Sequence, residues 1–281
     1  MPYTTISTTG HRIHYTDYPP TSSDTSSSKQ TLVFVHGLGS TQNYWLPIIP
    51  GLTKRGFRCL VSDNWLAGRS VPGDEKGWEK AVKEGTSVET IGKDLLGLMD
   101  VVGVDRGIII GYSMGGMLPT YLAATAPSRA VAGICVGPVH PQEAVAEVFR
   151  QRVPVVQKDG IEAMANTIPT RAVGSATTPL QVAFIREMVL GQDPRGYIAN
   201  CGAIEHATPP EYAKVECPIL IIAGDEDKSA PIEGCKTIAA GLTSVEESKK
   251  KIEVLKGVGH WHCVEKGEEV EKLIGEFCNG L

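Results

Sequence analysis

Three short stretches carry side chains able to make and break an acyl bond. In RGIIIGYSMGG, Gly111-Tyr112-Ser113-Met114-Gly115 fits the pattern G-x-S-x-G. That pattern puts a serine on a sharp strand-to-helix turn, with small residues on either side so that strand and helix can approach. A serine hydroxyl becomes a useful nucleophile only beside a base. Of the seven histidines, His260 in Lys256-Gly257-Val258-Gly259-His260-Trp261-His262 follows the last strand-like run, so it should reach the same end of a sheet as Ser113. His262 is its rival; His11 and His14 read as surface residues of an early hairpin. An imidazole that gains a proton needs a carboxylate to orient and stabilise it. Asp225, Glu226 and Asp227 follow the apolar run Pro218–Ala223 and offer three. The developing oxyanion needs N–H donors. The amides of Met114, after the serine, and of Leu38, in the loop Val35-His36-Gly37-Leu38-Gly39, are the candidates, with His36 fixing the loop. The chemistry that these residues could perform together is acyl transfer to water.

Such residues work only if a scaffold gathers them. Continuous apolar runs (TLVFV from Thr31, FRCLVS from Phe57, RGIII from Arg106, AVAGICV from Ala130, CPILIIA from Cys217, KIEVL from Lys251) read as strands buried on both faces. Helical patterns alternate with them. The clearest runs from Ser87 to Val102, with Thr86 and Glu89 as a capping box; the last runs from about Glu265 to Cys278. Alternation of this kind implies a mostly parallel sheet covered by helices. Pro119, in the helix after Ser113, predicts a kink. Residues 137–214 break the rhythm with helical patterns alone. The domain reading is therefore a core of residues 1–136 and 215–281 with an inserted helical cap at 137–214. Residues 19–30, rich in Ser and Thr, read as a mobile loop.

The chain has 281 residues and a net charge of −5. No basic run suggests a nucleic acid, and no apolar stretch or signal-like leader suggests a membrane. Seven cysteines without paired spacing fit reduced thiols in a cytoplasmic protein. No HExxH, Walker loop or dinucleotide fingerprint occurs, so neither metal nor cofactor is expected. The partner is a small molecule, and the protein a monomer or homodimer.

These features, in the order Ser, acid, His, resemble the α/β-hydrolase superfamily from Thr31 to Phe277. The resemblance implies the α/β-hydrolase fold. It also singles out one acid: the family's turn often reads G-x-x-D-x-x-x-P, which Gly224, Asp227 and Pro231 match and Asp225 does not. The expected triad is Ser113, His260 and Asp227. Within the insertion, Gly160–Ala165 and Gly196–Ile204 resemble the cap of 3-oxoadipate enol-lactonase-like hydrolases. Asp63-Asn64-Trp65-Leu66-Ala67-Gly68 is similar to a segment of plant butenolide-receptor hydrolases. Trp65, His140 and His206 are candidate substrate contacts. The resemblance implies a cofactor-free hydrolase of a small ester or lactone. A slowly turning over, receptor-like protein, or a lyase or carbon–carbon hydrolase on the same fold, are the alternatives.

Overall fold

The computed structural model describes residues 2–21 and 30–281; most of the Ser/Thr-rich stretch, residues 22–29, lies outside them. Eight strands form one sheet: β1 (Tyr3–Thr5), β2 (Arg12–Tyr18), β3 (Thr31–Val35), β4 (Cys59–Ser62), β5 (Gly107–Tyr112), β6 (Ala130–Val136), β7 (Ile219–Gly224) and β8 (Lys250–Leu255). Their spatial order is β1-β2-β4-β3-β5-β6-β7-β8. The first two strands pair antiparallel, and all pairings from β4 through β8 are parallel. The protein has the α/β-hydrolase fold. Strands β4, β5 and β7 are buried along their whole length, which is why they read as unbroken apolar runs.

Helices α1 (Ile49–Lys54), α2 (Glu75–Glu84), α3 (Val88–Val101) and α4 (Leu118–Thr125) precede β6. Four more, α5 (Glu143–Asp159), α6 (Glu162–Arg171), α7 (Pro179–Leu190) and α8 (Pro194–Glu205), lie between β6 and β7. The chain closes with α9 (Ile232–Gly241), the short α10 (His262–Glu265) and α11 (Gly267–Asn279). Two local expectations are corrected. Ser87, not Thr86, caps α3, accepting from the Thr90 amide; the Thr86 hydroxyl instead donates to the Ala199 carbonyl on α8. Pro119 causes no interior kink, because α4 starts at Leu118 after a 3-10 turn and Pro119 sits in its first turn, where no helical N–H is lost.

The insertion-like motifs turn out to dock α8 on the core. Leu66 adopts φ 65°, one of two non-glycine residues with positive φ among the described residues. A side chain at Gly196 would strike the Leu66 carbonyl, and Asn200 Nδ2 donates to the Trp65 carbonyl. No disulfide forms among the seven cysteines, six of which are buried. No helix of the described residues is long and apolar enough to cross a membrane.

Candidate active site

Parallel strands deliver their carboxyl ends to one edge, so residues that follow β3, β5, β7 and β8 meet there. Ser113 follows β5 directly and holds φ 54°, a left-handed conformation that costs a serine stability but thrusts its side chain forward. Glycines make the turn possible. A side chain at Gly111 would collide with the Gly115 carbonyl, and one at Gly115 with the carbonyls of Val35 and His36.

Ser113 Oγ lies 2.8 Å from His260 Nε2, and His260 Nδ1 lies 2.8 Å from Asp227 Oδ2. Asp227 is fixed from behind: its Oδ1 accepts from the amides of Ser229 and Ala230 at 2.8 and 2.9 Å. Burial alone would raise the Asp227 carboxyl. The facing His260, then His262 and the Ala230 amide, outweigh it and hold the group below its ordinary value. It is therefore a carboxylate at neutral pH. The serine hydroxyl can donate to a neutral Nε2 only if the ring carries its proton on Nδ1, and Asp227 selects that tautomer.

Asp225 and Glu226, for which the sequence offered no task, are both engaged. Asp225 accepts from the Gly257 amide at 2.6 Å and ties the β7 turn to the β8 turn. Glu226 accepts from the amide and hydroxyl of Ser175, in the loop between α6 and α7.

The loop after β3 is pressed against the serine: a Cβ on Gly37 would sit 2.8 Å from the Ser113 Cβ. His36 braces this loop, with Nδ1 donating to the Gly37 carbonyl at 2.8 Å and Nε2 accepting from the Asn64 amide at 2.9 Å. Asn64 Nδ2 returns a bond to the His36 carbonyl. Among the described residues, the amides of Leu38 and Met114 donate to no protein acceptor. Unspent N–H groups beside a nucleophile are what a developing oxyanion requires.

One carboxylate missed by sequence reasoning organises the loop that carries His260. Glu265 accepts from the amides flanking His260, those of Gly259 and Trp261, at 3.0 and 2.8 Å. It also accepts from the Gly174 amide and the Thr177 hydroxyl of the α6–α7 loop. The His260 amide donates to the Ala172 carbonyl at 2.7 Å. The histidine loop and the inserted helices thus share one anchor. The spacing of five residues from His260 was the only sequence trace of it.

The remaining histidines are placed differently from expectation. His262 is fully buried, its Nδ1 donating to the His260 carbonyl at 2.7 Å. His14 is buried against Asp63 at 2.9 Å, and His11 pairs with Asp94 at 2.8 Å, so neither is a surface residue. The Trp65 ring stacks on His11, with centroids 4.4 Å apart. The half-buried His140 meets the Tyr212 hydroxyl at 3.2 Å, and the exposed His206 meets the Gly202 carbonyl at 3.1 Å. None of Trp65, His140 and His206 lines the cavity over Ser113. That cavity measures ≈ 280 Å³. Its walls include Val145, Val148, Phe149 and Ile168 from α5 and α6, facing Val139 and Trp261. Among the described residues, no group of three or more His, Cys, Asp or Glu side chains could hold a metal ion.

Two buried imidazoles give the fold an acid-sensitive step. Burial lowers His36 and His262 from the ordinary 6.5, with Asp63 and Asp227, respectively, pulling back only in part. The unfolded chain therefore binds more protons than the native one once pH falls below about 6.5. Stability should be complete above that pH and decline below it. A second decline, from Asp227, should begin only near the carboxylate range, as pH falls below about 4. Urea midpoints measured between pH 8 and pH 5 check this, and His262→Asn should flatten the slope. Midpoints flat across that range would refute it.

A family model for the alpha/beta hydrolase fold matches residues 30–187. The chain is 23% identical over 279 residues to a 2-hydroxy-6-oxononadienedioate/2-hydroxy-6-oxononatrienedioate hydrolase of Paraburkholderia xenovorans (strain LB400), covering 90% of this chain and 88% of that one. It is 24% identical over 243 residues to 3-oxoadipate enol-lactonase 1 of Acinetobacter baylyi, covering 80% and 87%. The crystal structure of the enol-lactonase from Burkholderia xenovorans LB400 superposes with a TM-score of 0.83 at 24% identity, over 99% of this chain and all of that one. With more than half of its length matched by the family model and this architecture around Ser113, the chain belongs to the α/β-hydrolase family.

Proposed function

We propose that the protein is a serine hydrolase that cleaves a small carboxylic ester or lactone, with α5 to α8 acting as a cap over the site. The observation that carries this reading is the continuous relay Ser113 Oγ–His260 Nε2 and His260 Nδ1–Asp227 Oδ2, each link 2.8 Å. In the reaction, Ser113 Oγ attacks the carbonyl carbon while His260 Nε2 takes its proton. The amides of Leu38 and Met114 hold the oxyanion. Collapse expels the alkoxide, which takes the proton from His260; in a lactone it stays tethered to the acyl chain. Water then attacks the acyl-enzyme, His260 accepts its proton, and the acid leaves as Ser113 is restored. The side chains that do this need no further group.

The bond class rests on the cavity and the relatives. A largely apolar space of ≈ 280 Å³ suits a compact acyl chain. The lactonase name carried by one relative supports an ester-type bond. Another relative is named as hydrolysing a dienedioate, so product analysis is part of the test. The protein should be incubated with a panel of small esters, lactones and vinylogous diketones. A fluorophosphonate should add to the Ser113 peptide, and the esters or lactones should yield their acids. Labelling without ester or lactone turnover, but with cleavage of the diketones, would move the assignment to carbon–carbon bonds.

A further inference from the structure

We infer that Arg152 is a specificity-determining residue that reads a carboxylate on the substrate, remote from the carbonyl that Ser113 attacks. This rests on the ester or lactone reading of the same site and names the substrate class within it.

Arg152 lies on α5 and lines the cavity that reaches Ser113 and His260. It is half-buried. Its guanidinium carbon sits 4.5 Å above the Phe149 ring, and Nη1 points at the Tyr197 hydroxyl at 3.4 Å, a weak contact. Among the described residues, no carboxylate lies within ion-pair distance of it. Arg150, two positions earlier, shows the contrast: it bonds Glu143, Glu147 and Glu205. The nearby acids are spent on the outward-facing arginine, and the one turned to the cavity is left without a counter-charge.

The rest of the lining points the same way. Besides Arg152, the lining residues that carry polar groups are Gln142, Lys228, Ser229, Tyr112, Trp261 and the reacting pair. The cavity contains no Asp or Glu side chain in its lining and has two cations, Arg152 and the exposed Lys228. A guanidinium in a half-buried, apolar setting is partly stripped of water without a partner to compensate. A carboxylate supplies that partner in bidentate geometry. The stack on Phe149 holds the guanidinium plane in place beforehand, which lowers the ordering cost of binding. A neutral ester would leave the charge unmet.

The test compares monomethyl adipate, an anionic half-ester, with neutral dimethyl adipate. The wild-type protein should favour the half-ester in kcat/KM. Arg152→Met should lower the half-ester to diester ratio by about 10²-fold, mainly through KM for the half-ester, and Arg152→Lys should restore part of it. The ratio cancels any general loss of folded protein. Binding is read separately, by titrating the half-ester into Ser113→Ala protein with and without Arg152→Met. A ratio unmoved by Arg152→Met, or half-ester binding indifferent to it, overturns the inference. If neither ester is turned over by wild-type protein, the result counts against the ester reading of the site and not against Arg152. The binding titration still decides whether Arg152 holds a carboxylate.

Discussion

Ser113→Ala is expected to lower turnover of any accepted ester or lactone by at least ~10³-fold. In the proposed mechanism the hydroxyl forms the acyl bond, and among the described residues Ser113 Oγ is the hydrogen-bond partner of His260 Nε2, at 2.8 Å. The fold should survive. Alanine keeps the Cβ against which Gly37 packs, and it occupies φ 54° at much the same cost as serine. The loss should therefore appear in kcat, with substrate still bound, since the cavity walls and the Leu38 and Met114 amides remain. Single-turnover kinetics beside a melting curve separate the two. A folded Ser113→Ala protein with wild-type turnover would remove the serine from the mechanism altogether.

A second large effect is expected at Asp227, together with a small one two residues earlier. Asp227→Asn should cost roughly 10³- to 10⁴-fold in kcat. Asn can present its amide to His260 Nδ1, which then becomes the acceptor; the proton moves to Nε2, and that nitrogen can no longer take one from Ser113. The tight seat of Oδ1 on the Ser229 and Ala230 amides favours this orientation, because those donors demand the oxygen. Asp225→Asn is expected to change kcat by less than tenfold. Its partner is the Gly257 amide, which an asparagine oxygen can still satisfy. The two variants should be compared on one substrate. A larger loss at Asp225 would reverse the assignment of the acid.

How much of this was legible in the sequence depended on the range of the interactions. The strands were readable because burial on both faces leaves an apolar run, as in Gly107–Tyr112 and Ile219–Gly224. Ser113 and Asp227 are legible because each sits just past such a run, with glycines whose absence of a side chain is a local requirement; His260 instead follows β8, an edge strand with only Leu255 buried, so KIEVL is not the doubly buried run that its composition suggests. The choice among three adjacent carboxylates needed the spacing to Gly224 and Pro231, and the structure gives each of the three its own partner. Long-range ties left little trace. Glu265 serves Gly174 and Thr177, roughly ninety residues away, and no local pattern announces that. The same holds for Arg152, which differs from Arg150 only in the side of α5 from which it projects. Trp65 is a candidate through the resemblance of its segment, and His140 and His206 through their place in the insertion, but neither says which wall a side chain faces. Each found a partner elsewhere: His11, Tyr212 and the Gly202 carbonyl. The Gly196 and Asn200 motif, which resembled a substrate cap, does its visible work in docking α8 on the Leu66 turn.

The buried cysteines carry a consequence for how the proposed nucleophile can be identified chemically. Burial pushes Cys201 and Cys235 up to about 12 and Cys217 up to about 11, and raises Cys59, Cys135 and Cys263 further. Alkylating reagents and mild oxidants attack the thiolate, which these six all but lack at neutral pH. Iodoacetamide or dilute peroxide should leave these six thiols untouched under conditions where a fluorophosphonate adds to Ser113. The same chemistry would spare these six thiols under oxidative conditions that disable a low-pKa cysteine.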